Sequence, residues 1–149
     1  MTDWDWPVLI KKQLKTISPT TELNQNYIYA YADPTMMVSI AYGKLAVLAM
    51  NHMIVIFDHH QLVLLEIRLD GSLSGEVALI PYSDIKETKL KKKWSHDKLI
   101  IALKGELNPL VLKINHKPNV ETKLGMTWQM DHLDYLKNTN WNNLIKKTD

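Results

Sequence analysis

From Leu79 to Leu103 the chain reads LIPYSDIKETKLKKKWSHDKLIIAL, a run that fits one geometry: a long β-hairpin, bent near its start. Leu99, Ile101 and Leu103 recur at every second residue, the period of a strand with one buried face. Pro81 has no N–H to donate, so the ladder must bend or expose an edge there. Ile85 and Leu90 should both face inward yet differ in parity, which requires one bulged residue between them. With Leu90 and Trp94 inward, Lys89, Lys91 and Lys93 share the outer face. Lys92 has the inner parity and must carry its ammonium outward from the strand end. Ser95-His96-Asp97 turns the chain.

The same period of two surrounds this hairpin. Val38, Ile40 and Tyr42 alternate, Gly43-Lys44 turns, and Leu45–Met50 and Met53–Phe57 are apolar on both parities. Runs of that kind belong to strands covered on both sides. Asp58-His59-His60-Gln61 turns the chain, then Val63, Leu65, Ile67 and Leu69 face inward with Glu66 and Arg68 outward. Asp70-Gly71 is a turn signal, after which Val77 and Leu79 resume the sheet. Gly105 to Pro109 makes a further turn, and Leu110, Leu112 and Ile114 form the last strand. Counting 76–80 and 85–94 as one bent strand gives seven antiparallel strands at short spacing, the pattern of a barrel or sandwich.

Helical signals stand at both ends. Asp5 can cap a helix over 6–16 with Pro7 in its first turn, and Trp6, Ile10, Leu14 and Ile17 form one stripe. Ser18-Pro19 stops that helix and can start a short second one over 19–26. Residues 27–32 fit either period. Near the C-terminus, Asn119 can cap a helix on which Val120, Leu124, Trp128 and Tyr135 make one apolar face. Met126, Met130 and Leu133 make another, nearly opposite. A helix closing a barrel needs one such face. The second must pack on the N-terminal helices, on the Trp141-Leu144-Ile145 tail, or on another subunit.

Composition narrows the functions. The 149 residues are enough for a single domain with a real core. There is no cysteine, which excludes disulfides, thiolate metal sites and cysteine nucleophiles. The net charge of +2 is too small to imply a polyanionic partner by itself. Arg68 is the single arginine, so bidentate phosphate forks are not built. Lysine without arginine or interleaved stacking aromatics argues against nucleic acid. Asp58-His59-His60 does not make a metal site, since neighbours on a strand point to opposite faces. His132 with Asp131 and Asp134 reads as exposed helix surface. Ser39, Ser83 and Ser95 lack a nucleophile context, and no glycine-rich phosphate loop is present. No cofactor, metal or catalytic residue is assigned, and the chain is read as no enzyme. The opening MTDWDW lacks a basic n-region, so a cytoplasmic protein is expected.

Three segments carry a resemblance. Val47-Leu48-Ala49-Met50-Asn51-His52-Met53-Ile54-Val55-Ile56-Phe57 looks like the strand, Asn-containing turn and strand of bacterial pleckstrin-homology-like domains. Ile80-Pro81-Tyr82-Ser83-Asp84-Ile85-Lys86 looks like that family's Ile-Pro-x-x-x-Ile lead into its later hairpin. Trp128 stands where such domains often carry a tryptophan in the closing helix. The resemblance covers roughly 36–137. It implies an α+β fold: a seven-stranded antiparallel PH-like β-barrel or sandwich closed by a C-terminal helix, here at 36–149, with an N-terminal helical extension at 1–35. It also implies an interaction module, in some bacterial members a homo-oligomer. Inositol-phosphate recognition is not carried over, because the first hairpin turn offers only Lys44.

The leading expectation is therefore a non-catalytic module that binds protein or self-associates through Met126, Met130 and Leu133. The alternative is docking on an anionic membrane or lipid through Lys89, Lys91, Lys92 and Lys93, with Trp94 as interfacial anchor. A third, a small apolar-ligand carrier or enzyme, requires a cavity of at least about 300 Å³.

Overall fold

The computed structural model describes residues 5–32, 52–68, 70–105, 109–115 and 125–139. The strand expected over Val38–Tyr42, the Gly43-Lys44 turn, the Leu45–Met50 run, Val120, Leu124 and the Trp141-Leu144-Ile145 tail lie outside them.

Helix α1 spans Trp6–Ile17, and the Asp5 carboxylate accepts from Val8 N–H at 3.3 Å, the expected cap. Seven strands follow: β1 (Tyr27–Ala32), β2 (His52–Phe57), β3 (Gln61–Ile67), β4 (Leu73–Pro81), β5 (Ile85–Lys92), β6 (His96–Leu103) and β7 (Leu110–Asn115). Helix α2, Gln129–Asn138, is the last element among the described residues. All the strands join one antiparallel sheet in the order β4-β3-β2-β1-β7-β6-β5. The sheet is open and sandwich-like, not a closed barrel: β4 and β5 stand at its two ends. This is a seven-stranded antiparallel α+β architecture, and β1, from the residues that fitted either period, is one of its strands.

The two parities of the strands feed two cores. The inner one joins Ile28 and Ala30 of β1, Val55 of β2, Leu64 of β3 and Ile80 of β4 to Leu99 and Ile101 of β6 and Leu112 of β7. Strands from both ends of the order contribute, so the sheet is folded over onto itself. Leu133 and Leu136 of α2 close this core. The outer core lies on the other face of β1, β2 and β3. There α1 sets Trp6, Ile10 and Leu14 against Tyr27, Tyr29, Ile54, Ile56, Val63 and Leu65. Burial on both sides explains why β2 and β3 read as apolar on both parities.

The corner between β4 and β5 follows the expected bend. Pro81 ends β4, Tyr82–Asp84 make a 3-10 turn, and the register slips between Ile85 and Glu87, the required bulge. Tyr82 is buried and its hydroxyl donates to the Asp58 carbonyl. Ile85 is buried and Leu90 packs against the inner core.

Two helical expectations are corrected. Residues 19–26 are not helical. Their side chains take the backbone bonds a helix would need: Asn26 Oδ1 accepts from Asn24 N–H at 2.9 Å, while Asn26 Nδ2 donates to the Glu22 carbonyl at 3.1 Å and the Phe57 carbonyl at 2.9 Å. Thr21 donates to Asp58 Oδ2 at 2.8 Å, and Gln61 Nε2 donates to Ser18 Oγ at 3.1 Å. The segment is thereby pinned to the β2–β3 turn. The residues left open, 27–32, form β1, the strand that links the two halves of the sheet. The second correction concerns the closing helix. Gly125 has φ of +74°, a left-handed conformation that interrupts any helix arriving from Asn119. Met126–Trp128 then turn, and α2 begins only at Gln129.

Candidate interaction surface

The β5–β6 hairpin is the exposed end of the sheet. β5 is an edge strand, and Lys86, Lys89, Lys91, Lys92 and Lys93 along it are all exposed. Lysines on an open edge block pairing with other chains, which accounts for their presence without any ligand. Trp94 is not explained that way. Lys93 N–H donates to the His96 carbonyl at 2.9 Å, closing the hairpin with Trp94 and Ser95 at its tip. The Trp94 side chain is 95% exposed. Its expected inward position is thus corrected. Parity assigned it to the inner face, but β5 ends at Lys92 and the turn removes Trp94 from the sheet. A tryptophan can bury roughly 150–250 Å², so leaving it in water forgoes roughly 4–6 kcal/mol of transfer free energy.

The local acids do not neutralise the tip. Asp97, the second residue of β6, is fully buried, and its carboxylate meets Lys137 Nζ of α2 at 2.8 Å. This pair fastens the base of the hairpin to the closing helix. Glu87 lies 3.7 Å from Lys89, with both side chains more than half exposed. Such a pair contributes little, about 0–1 kcal/mol.

The face expected for self-association has a different fate. Met126 and Leu133 are each 1% exposed, and Met130 is half-buried. Met126 lies in the outer core with Trp6, Ile10 and Leu14, so the N-terminal helix supplies its cover. Leu133 lies in the inner core, against which Met130 also packs. The three residues do not share a free face, because the break at Gly125 puts Met126 out of phase with α2.

Helix α2 also carries a buried polar clamp that its sequence does not announce. Among the described residues β1 pairs with β7 at Tyr31 and Ala32. Ahead of that point, Gln129 Oε1 accepts from Tyr29 N–H and Gln129 Nε2 donates to the Tyr29 carbonyl, both at 2.8 Å. One side chain thus stands in for a missing strand. His132 is buried, not exposed as its neighbours Asp131 and Asp134 suggested. Its Nδ1 donates to the Tyr27 carbonyl at 2.8 Å, and its ring lies between Trp128 and Tyr27 at centroid distances of 4.9 and 4.4 Å. Burial holds the His132 imidazole below its ordinary range, against the opposing pull of the carbonyl and of Asp131. His52, stacked on Tyr29, is lowered by burial as well.

Asp58, His59 and Asn26 line a shallow depression with Glu22, Asn24, Phe57 and Tyr135. Asp58 is already committed there to Thr21 and to the His59 N–H. Among the described residues no three His, Cys, Asp or Glu side chains gather as metal ligands. Among them, too, no helix is long and apolar enough to cross a membrane. Ser83 and Ser95 are exposed at turns, and Ser39 lies outside the described residues.

No family model matches the chain, and no curated protein matches it. Among solved structures it is similar to the pleckstrin homology domain from Shewanella amazonensis SB2B. The two are 18% identical, with a TM-score of 0.40, over 77% of this chain and 94% of that one.

Proposed function

We propose that this chain is a non-catalytic docking module that attaches to anionic membrane surfaces through the tip of the β5–β6 hairpin. The observation that carries this reading is Trp94, 95% exposed at a tip whose preceding residues are Lys91, Lys92 and Lys93. An indole at the headgroup level with lysines beside it matches the demands of an interface that is apolar below and negatively charged above. Each lysine near such a surface contributes about 1 kcal/mol, so a handful of them with one inserted indole gives reversible attachment. The anchored base of the hairpin supports the reading too, since the tip needs no ordering when it docks. Self-association through Met126, Met130 and Leu133 is not retained, because two of the three are inside the molecule.

Sedimentation with phosphatidylcholine vesicles, with and without phosphatidylserine, tests the proposal. Binding is expected only with the anionic lipid, weakening as salt rises. Trp94→Ala and Lys91, Lys92, Lys93→Glu should each reduce it at least tenfold. Binding that ignores these substitutions, or no binding to anionic vesicles at low salt, would overturn it.

A further inference from the structure

The serine that follows the lysine run stands at the outermost point of the hairpin. Lys93 N–H donates to the His96 carbonyl at 2.9 Å, which leaves Trp94 and Ser95 between the strands. Ser95 is exposed, as are Lys91, Lys92 and Lys93 ahead of it. Its Oγ lies 3.1 Å from His96 Nδ1, a surface contact between neighbours in the chain.

A hydroxyl in a turn is an ordinary use of serine. The company of Ser95 sets it apart from the other exposed hydroxyls. Ser72 Oγ donates to Asp70 at 2.6 Å, and Ser74 Oγ accepts from the Glu76 N–H at 3.1 Å, so each has an acid two residues away. Ser83 is followed directly by Asp84. Thr16 follows Lys15, but its hydroxyl donates to the Gln13 carbonyl at 2.9 Å within α1. Among the described residues Ser95 alone combines an exposed turn with a run of cations immediately upstream. Lys92 and Lys93 stand three and two residues ahead of it, with Trp94 as the spacer. β5 ends the strand order and pairs with β6, so these lysines reach the tip along extended backbone at the rim of the sheet. Protein kinases choose their acceptors by the charge pattern around the hydroxyl. One that reads cations two and three residues upstream finds that pattern here on a protruding chain.

We infer that Ser95 is a phosphorylation site for a kinase directed by basic residues, and that the phosphoryl group releases the hairpin tip from anionic membranes. The release rests on the membrane reading above; the modification site does not. In the transfer, Ser95 Oγ attacks the terminal phosphorus of a nucleoside triphosphate. The Oγ–P bond forms and the bond from that phosphorus to the bridging oxygen breaks. The nucleoside diphosphate leaves with the electron pair, and the hydroxyl proton passes to the base of the kinase. The product carries about −1.5 to −2 charges at pH 7. Against Lys91, Lys92 and Lys93 this cancels half or more of the positive charge of the tip. It also sets an anion one residue from the indole that enters the interface, where an anionic surface repels it and burial of a charge is costly.

The test uses the full chain in three forms: natural, Ser95→Ala, and the natural sequence carrying phosphoserine at position 95, introduced during translation. The folded natural chain is incubated with magnesium ATP and the catalytic subunit of cyclic-AMP-dependent kinase, which reads basic residues two and three positions ahead of its acceptor. Mass spectrometry locates the phosphoryl group. All three forms are sedimented with phosphatidylcholine vesicles containing phosphatidylserine. Ser95 is expected to take up one phosphoryl group, and Lys92→Gln with Lys93→Gln should slow that uptake about tenfold or more. Ser95→Ala should bind vesicles as the natural chain does. The phosphoserine form should bind about 30-fold more weakly, the effect of about two charges near the surface, and rising salt should shrink that gap. Thermal midpoints of the three forms should agree, because position 95 lies outside both cores. No phosphoryl group on Ser95, or equal vesicle binding with and without it, overturns the inference and leaves membrane docking standing. Uptake at Ser95 by a chain that binds no anionic vesicle keeps the modification site and overturns both the release and membrane docking.

Discussion

The two halves of the sheet share hydrogen bonding and an inner core, but their outer faces have opposite fates. On β1, β2 and β3 the outer face is apolar and lies under α1, with Trp6 fully buried against it. On β5, β6 and β7 it carries Lys89, Lys91, Lys98 and Lys113, and the hairpin beyond ends in the exposed Trp94. The same residue type thus serves two purposes. Trp6 stabilises the fold by staying dry, whereas Trp94 contributes nothing to it and is available to something else. The outer face of one half is apolar and dry, whereas that of the other is partly basic.

The contrast can be broken most directly at Trp6. Trp6→Ala removes the largest side chain from the outer core and should cost about 3–5 kcal/mol in denaturant unfolding. Trp94→Ala should change stability by less than about 0.5 kcal/mol. Equal effects from the two tryptophans would erase the distinction between the halves.

Next in size is the Asp97–Lys137 pair, which fastens the β5–β6 hairpin to α2. Lys137→Ala leaves the Asp97 carboxylate buried without that cation. Removing one partner of a fully buried pair costs roughly 3–5 kcal/mol. Lys137 is about a quarter exposed, so a smaller loss of about 2–3 kcal/mol is expected, read again by denaturant. Amide exchange in β6 should rise in this variant more than exchange in β2.

Gln129→Ala is the corresponding test on the other half. It strands the Tyr29 N–H and carbonyl, a loss of about 2 kcal/mol. Faster exchange at the Tyr29 amide, with β6 unaffected, is the expected signature.

The smallest expected effect is on pH. His132 and His52 both have folded-state values lowered by burial from the ordinary 6.5. The unfolded chain then takes up protons first, so stability is full above pH 6.5 and falls as pH drops through the lower folded values. Thermal midpoints between pH 7.5 and 5 should decline, and His132→Gln should flatten part of that decline. A midpoint independent of pH would remove the buried clamp from the account.

Much of the fold was legible from local rules. Pro81 and the parity conflict between Ile85 and Leu90 required the corner and the bulge, because proline chemistry and the pleat act within a few residues. The doubly apolar 53–57 run required cover on both sides. Other elements were not legible. Tyr27–Ala32 carries apolar residues at every position and satisfies both periods, so only α1 on one side and the inner core on the other made it a strand. Residues 19–26 had a proline and a serine cap in their favour, but Asn26 and Thr21 found partners on β2 and at Asp58. Those bonds are long-range and invisible in a window of eight residues.

The candidate surface divides in the same manner. Lys89, Lys91, Lys92, Lys93 and Trp94 are contiguous, so charge and aromatic content pointed to them directly. Whether Trp94 plugged a core or faced water depended on where the strand stopped. Lys98 and Lys113 stand in otherwise apolar stretches, and no neighbouring residue in the chain singles them out. Their meeting with Lys91 depends on registers set by inner-core packing across three strands. By itself, then, the sequence determined the period, the corner and the basic hairpin, because sterics and charge act between neighbours in the chain. Only the tertiary structure decided which faces α1 covered, that Met126 and Leu133 were interior, and that three distant lysines stood in one row. Those outcomes rest on contacts between residues that the chain keeps far apart.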